Sequence, residues 1–383
     1  MKKIKEIVCL LIVFAFLLGA CGTGNDADTS KEESGIDFDS LEKTGSVELS
    51  YATQFNIDKY GEYEMITIVD GGRFLLVSED APVPDNIPED ITVIKKPLTD
   101  VYLLSSCAMD LIVQTDSMDC IKYTATKKED WCVEEAVTAI ENGDLTYAGK
   151  YSAPDYEMLV AGDCKFAIAN TMINHNPEVK EKLEELGISV MIERSSYETH
   201  PLGRLEWIKV YGVLFDKEEE ANAYFEQQVG EVEPIMEKEN TGKKVAFFAV
   251  NSNGSITVRK PNDYVAKMIE LAGGNYVLSG YVEEEQNALS SMNMQVEDFY
   301  AWAKDADVLI YNGTIEGELS DIDELIEKNS LFADFKAVKN GMVFTTGSDF
   351  YQQTSQTCIF IEDLNKVLEG ETVGENKFLK KLK

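Results

Sequence analysis

Two α/β lobes, each a mostly parallel sheet flanked by helices, joined by a single long helix with a ligand cleft between them: this is the fold class the sequence predicts. Three observations point to it. Short apolar strands alternate with helices in two separate stretches, which is the grammar of βαβ units. One long helical pattern, 217–240, stands between those stretches. Finally, roughly 340 residues follow an N-terminal leader, more than one core usually accommodates, so two domains are expected.

The leader comes first. Lys2, Lys3 and Lys5 precede an apolar run from Ile7 to Leu18, shorter than the about 20 residues of a membrane span but right for the core of a secretory signal. The run ends in Leu18-Gly19-Ala20-Cys21, which resembles the bacterial lipobox. That resemblance implies a signal peptide over 1–20, acylation of Cys21, and a protein held outside the cytoplasm by a lipid anchor. Residues 21–45 are small, polar and acidic at their start and read as a flexible tether. The whole chain carries a net charge of −34; removing three lysines and one glutamate with the leader leaves 32 basic and 68 acidic residues, a net −36. Such a chain repels nucleic acid, so no DNA or RNA partner is expected.

The first lobe is expected over 46–216. From Val47 to Val77 the alternation reads as a β-meander, with Asp70-Gly71-Gly72 turning MITIV into RFLLV. ITVIKKP, VYLLS, CIKY, TYAG, FAIAN and ISVMI then alternate with helical patterns. Five cysteines remain in the mature chain (Cys107, Cys120, Cys132, Cys164 and Cys358), odd in number and widely spaced. Neither a disulfide framework nor a zinc site fits them, although export would permit one or two bridges; free thiols are expected.

The helix over 217–240 is the strut. Ala221, Phe225, Val229, Val232 and Met236 form one continuous stripe, and the helix spans roughly 34 Å at its usual rise. Asp216 is the expected N-cap, and Pro234 should bend the helix without stopping it. The second lobe, 241–383, restarts the alternation with VAFFAV, SITVRK, a helix from Asn262 to Leu271, VLIY, a helix from Ser320 to Lys328 capped by Ser320 and Asp323, and MVFTT.

Two stretches match each other across the halves: Tyr147-Ala-Gly149 leading to Pro154-Asp-Tyr-Glu157 ahead of FAIA, and Val296-Glu297-Asp-Phe-Tyr ahead of ADVLIY. With the lipobox and the two-lobe pattern, they resemble the substrate-binding proteins of ABC importers for iron-siderophore complexes, haem and cobalamin, over nearly all of the chain after Ser46. Cys164-Lys165-Phe166 and Asp305-Ala306-Asp307 lack the proline usual in that family before the strand. The resemblance implies that Glu157 and Glu297 are docking charges for arginines of a permease served by a cytoplasmic ATPase. It further implies a monomer that needs no cofactor of its own, any metal arriving inside the ligand. A charged residue in a helix's first turn is also simply stabilising, which is the plainer account of either glutamate.

Arginine is scarce: four residues, against 31 lysines. Arg194 and Arg204 fall in one segment, Glu193 to Trp207, with Tyr197 and His200; Arg259 follows SITV. A planar guanidinium grips carboxylates as lysine cannot, so these arginines are candidates to face a ligand's acidic groups. The alternative is that they pair with Glu193, Glu198 or Glu206 and pin the segment. Ser105 beside Ser106, Trp131, Tyr197, Asn253 and Tyr351 complete the candidate set, hydroxyls and a helix N-terminus for an anion and aromatics for walls. His200 or His175 would suit a haem iron or a substrate contact, but a lone histidine is more often a hydrogen-bonded loop residue. Two histidines in all make a histidine-rich metal site improbable. GxSxG, HExxH, GxGxxG and GxxxxGK[ST] are all missing from the sequence. No enzyme is expected, an extracytoplasmic hydrolase being the weaker rival and a lipid-anchored sensor or scavenger of the same fold the stronger one.

Overall fold

The computed structural model describes residues 36–282, 290–371 and 376–383, and 36–383 forms one compact unit. The leader, Cys21 and the first part of the tether lie outside the described residues.

An antiparallel meander opens the fold: β1 (Gly45–Ser46), β2 (Phe55–Tyr60), β3 (Tyr63–Ile68) and β4 (Gly72–Val77), with β5 (Ile91–Lys95) added in parallel along β4. The β3–β4 turn needs φ of +47° at Asp70 and +106° at Gly72, a region that glycine enters without steric cost. Side chains alternate as a strand requires. Phe55, Ile57, Ile66, Ile68, Phe74 and Leu76 face the main core, while Tyr63, Met65, Leu75 and Val77 close a small core on the other side.

A wholly parallel sheet follows. Its strands are β6 (Val101–Leu103), β7 (Ile121–Thr124), β8 (Thr146–Tyr147), β11 (Phe166–Ala169) and β12 (Ser189–Ile192), ordered β12-β11-β6-β7-β8. Between β8 and β11 lies the small hairpin β9 (Gly149–Lys150) and β10 (Ala153–Pro154). Helices α1 (Ser106–Gln114), α2 (Glu134–Asn142), α3 (Tyr156–Ala161) and α4 (Pro177–Glu185) make the crossovers. Every residue of β6 and β11 is buried, as in strands covered on both faces.

The second half of the Glu193–Trp207 segment is helical, α5 (Pro201–Glu206), and α6 (Ile208–Leu214) follows it; both are buried almost throughout. The charged Arg204 and Glu206 of α5 are buried along with the apolar residues, so no exposed polar face sets an amphipathic period, which is why the sequence pattern hides them. The connecting helix α7 (Glu218–Met236) is shorter than expected, roughly 28 Å. Its N-cap is Lys217, and Asp216 instead turns at φ +57° and pairs with the buried Lys96. Ala221, Phe225 and Val232 are buried as the stripe predicts, but so is Gln228, while Pro234 sits inside the helix without ending it. α7 packs chiefly on α6 and on the C-terminal helix α13 (Thr357–Glu369).

The second half builds a mixed sheet. β13 (Lys244–Val250) pairs in parallel with β15 (Asn275–Tyr276) and β17 (Val308–Tyr311), and β17 with β18 (Val343–Thr345). β14 (Ile256–Arg259), β16 (Ser291–Met294) and β19 (Lys380–Lys381) add antiparallel edges. Around it lie α8 (Tyr264–Leu271), α9 (Val296–Ala303), α10 (Gly313–Glu316), α11 (Ile322–Lys328) and α12 (Lys336–Lys339). The capping box of α11 falls one residue later than expected: Asp321 accepts from the Glu324 N–H, and Glu324 accepts from Ser320 N–H, both at 2.9 Å. Among the described residues the five cysteines, Cys107, Cys120, Cys132, Cys164 and Cys358, are free, with Cys164 and Cys358 buried.

A strap over residues 352–356, between β18 and α13, returns to the first half. Gln352 accepts from Cys132 N–H at 2.8 Å and donates to Asp130 O at 2.7 Å; Thr354 Oγ1 donates to Cys107 O at 3.2 Å, and Ser355 N–H to Asp110 Oδ2 at 2.7 Å. The halves are therefore tied twice, by α7 and by this strap.

Candidate ligand-binding cleft

Between the halves lies a cleft of about 340 Å³. Cys107, in the first turn of α1, Ser196 and Arg204, in the last turn of α5, reach it from one side; Thr257 and Arg259 of β14, Tyr264 at the start of α8, Ile315 and Tyr351 reach it from the other. The carboxyl ends of the strands thus meet across it, the place where open α/β sheets receive ligands.

Two arginines converge there. Arg204 Cζ lies 3.9 Å from the Tyr264 ring centroid; Arg259 Cζ lies 5.7 Å from the same ring and 5.0 Å from that of Tyr351. Arg259 has partners: Asp263 Oδ2 at 3.7 Å and Ser290 Oγ at 3.2 Å. Arg204 is 7 % exposed, yet no hydrogen bond or ion pair joins its guanidinium to any described residue. Burial works against its charge, but Tyr264, Cys107, Asp263 and Glu193 outweigh that and hold its pKa above the ordinary arginine value. A buried cation kept charged without an acceptor is poised for an anion.

The pinning alternative divides. Glu198 and Glu206 do pin, but they hold backbone, not arginine. Glu206 accepts from the N–H groups of Ser50, Tyr51 and Ala52 at 2.8–3.1 Å and from Lys209 at 2.8 Å. Glu198 accepts from Thr53 and Gln54 N–H at 2.9–3.0 Å and from Trp207 Nε1 at 3.1 Å. These carboxylates fasten the α5 region to residues 50–54 and leave Arg204 to the cleft.

Of the candidates, the structure brings Arg204, Arg259 and Tyr351 together at the cleft; Tyr351 is held there by a hydrogen bond from Asn312 Nδ2 at 3.2 Å. Arg194 lies instead against the β3–β4 turn, 3.5 Å from Asp70, with its Cζ 4.3 Å from the Tyr197 ring. Ser105 is fully buried, and its Oγ donates to Glu193 at 2.8 Å. Glu193, accepting also from the Cys107 thiol at 3.3 Å, already occupies the positive end of α1. Burial and Glu193 push that thiol up to about 12, so it remains a donor. Trp131 is core, and Asn253 sits in an exposed turn where Ser255 N–H and Oγ take up its Oδ1. His200 caps α5: its Nδ1 accepts from Leu202 N–H at 3.2 Å and its ring stacks on Tyr51 at 4.6 Å. Burial and Lys267 lower its pKa to about 4, and it lines a separate crevice of about 740 Å³ with Asp263, Lys267 and Tyr276. His175 ends a 3-10 turn outside the cleft lining.

Sequence reasoning missed Tyr264 and Cys107. Asp263-Tyr264, four and five residues after Arg259 and opening a helix, was a readable signal for the first; nothing local marks the second.

Glu157 and Glu297 are exposed and each is the second residue of its helix, α3 and α9. Among the described residues no group of three or more His, Cys, Asp or Glu is gathered to hold a metal ion.

A family model described as periplasmic binding protein matches residues 123–350. A lipoprotein of Methanocaldococcus jannaschii is 26% identical over 403 residues, covering 98% of this chain and 95% of the relative. Among solved structures, the periplasmic heme binding protein HutB of Vibrio cholerae matches with a TM-score of 0.58 at 15% identity, covering 70% of this chain and 98% of that one. The petrobactin-binding protein YclQ of Bacillus subtilis matches with a TM-score of 0.55 at 14% identity, covering 71% and 92%. At these identities the two structures share the fold.

Proposed function

The chain belongs to the periplasmic binding protein family, and on that premise we propose that it is the extracytoplasmic substrate-binding component of an ABC importer, capturing an iron-siderophore, haem or cobalamin-type ligand and delivering it to a membrane permease. The observation that carries the ligand reading is Arg204, buried and charged, whose guanidinium has no hydrogen-bond or ion-pair partner among the described residues, at a cleft whose opposite wall holds Arg259. An acid-bearing chelate supplies the missing acceptor. Tyr264 and Tyr351 give it aromatic walls, a layout in which a few polar groups orient a ligand held mainly by apolar surface.

Within that class the residues favour a chelate that brings its coordination complete. Neither histidine lines the cleft, so a haem iron there would meet no histidine. The metal would travel as cargo, and the protein needs no cofactor. Glu157 and Glu297 are the docking charges in this proposal, matched at the second position of α3 and α9, and the body, a monomer, is tethered through Cys21 as its lipoprotein relative is named. Tryptophan fluorescence titration with ferric siderophores, haemin and cobalamin tests the ligand class: binding of one at a Kd below about 10 µM, near −7 kcal/mol, is expected, and no binding by any of them overturns it.

A further inference from the structure

Arg204 stands between two spaces. In front is the cleft; behind is a small chamber lined by Tyr264, Phe350 and Phe360 and by Gln353 and Gln356 of the strap. The volume open to a water's centre is about 10 Å³, the room that one water molecule needs.

Three polar atoms of the chamber's residues are sealed from solvent with no protein partner: Arg204 Nε, a donor, and Gln353 Oε1 and Gln356 Oε1, two acceptors. The Gln353 amide has its orientation set, because its Nε2 donates to Cys132 O at 3.4 Å. The hydroxyls of Thr354 and Thr357, which also line the chamber, already donate to Cys107 O and Thr354 O; left dry, the chamber would strand one buried donor and two buried acceptors, which native interiors avoid. One water balances all three, accepting from the single N–H and giving its two protons to the two carbonyls.

We propose that the chamber is the binding site of one structural water, bonded to Arg204 Nε, Gln353 Oε1 and Gln356 Oε1, which fastens the cleft-facing guanidinium to the strap. Gln353 and Gln356 are then positioning residues. With Nε engaged from behind, the planar head is held in one orientation and its outer nitrogens are left for the ligand. The water site stands on the chamber alone; its bearing on binding rests on the ligand reading given above.

The scarcity of arginine makes the test clean. The four arginines give four Nε–H resonances in a nitrogen–proton spectrum, and the one missing in Arg204→Lys is assigned. That signal should show cross-relaxation with water of the sign given by a long-lived bound molecule, lost in Gln356→Leu. Absence of it in the wild type, or its survival in Gln356→Leu, overturns the site. Should Gln356→Leu fail to fold, a wild-type crystal structure that resolves ordered water decides: one density peak bonded to all three atoms is expected, and an empty chamber or a glutamine rotated directly onto Nε refutes it. Positioning is separated from a structural role by a double-mutant cycle on ferric siderophore affinity, with about a tenfold loss expected for Gln356→Leu and none when Arg204→Met is already present. Failure of every siderophore to bind would sink the ligand reading and leave the resonance test of the water intact.

Discussion

Replacing Glu206 by glutamine should unfold the protein at a measurably lower temperature, because this one carboxylate gathers three backbone donors and an ammonium in a fully buried place. Oε2 accepts from Ser50, Tyr51 and Ala52, and Oε1 from Ser50 and Lys209. A glutamine oxygen can replace only one of these positions, and its NH2 then faces Ser50 N–H and the Lys209 ammonium, donor against donor. Hydrogen bonds to a charged group contribute about 1.5–3 kcal/mol each against about 1 for neutral ones, and an unpaired buried donor costs about 1–3 more. The loss is therefore about 3–5 kcal/mol, in line with breaking one side of a buried pair. For roughly 340 residues the entropy of unfolding is about 0.7 kcal/mol/K, so the melting temperature falls by about 4–7 °C. Scanning calorimetry measures this, with the exposed Glu327→Gln of α11 as a control that stays within about 0.5 kcal/mol. A Glu206→Gln protein melting with the wild type would refute the claim that this carboxylate holds α5, and Arg204 with it, on residues 50–54.

Further outcomes follow from the same geometry. Charge reversal at both proposed docking glutamates, Glu157→Lys with Glu297→Lys, should abolish uptake in cells while leaving ligand affinity of the isolated protein unchanged, since rim charges govern encounter with a partner; normal import, or weakened ligand binding, contradicts that role. His200, with a pKa lowered to about 4, is neutral when folded, so its contribution to stability is present above its unfolded value near 6.5 and is lost as pH falls towards 4. The urea midpoint of His200→Asn should accordingly fall less than that of the wild type over this window, and parallel curves would exclude the effect. Ligand addition should change the radius of gyration little, because α7 and the strap both tie the halves; a large drop in small-angle scattering would mark a true hinge near Gly230 and Pro234.

The elements legible in the sequence are those with a clean period. Alternation placed β2 to β4, four-step apolar spacing placed α7, and the buried strands β6, β11, β13 and β17 stood out as apolar runs between turns. What stayed hidden had no period to read. The helices α5 and α6 are buried almost all round, the charged Arg204 and Glu206 included, and the strap is polar because its side chains serve contacts more than 200 residues away, such as Gln352 with Cys132. The arginines drew attention by scarcity, yet only packing separates Arg204, buried over Tyr264, from Arg194, turned to Asp70. The glutamates beside them looked like ion-pair partners, and three-dimensional proximity gives them the backbone of residues 50–54 instead, a contact across about 150 positions that local sequence does not encode.

The affinity of Arg204→Met for the tightest-binding ferric siderophore of the titration, beside the wild type, is the most direct test of the claim that a buried guanidinium with no protein partner among the described residues receives the ligand's acid group. Losing a desolvated charge-assisted contact costs about 2–5 kcal/mol, so isothermal titration should find Kd raised by roughly thirty- to several-thousand-fold, while circular dichroism shows the fold retained. Equal affinity in the two proteins would contradict the account, and would move the anion site away from Arg204.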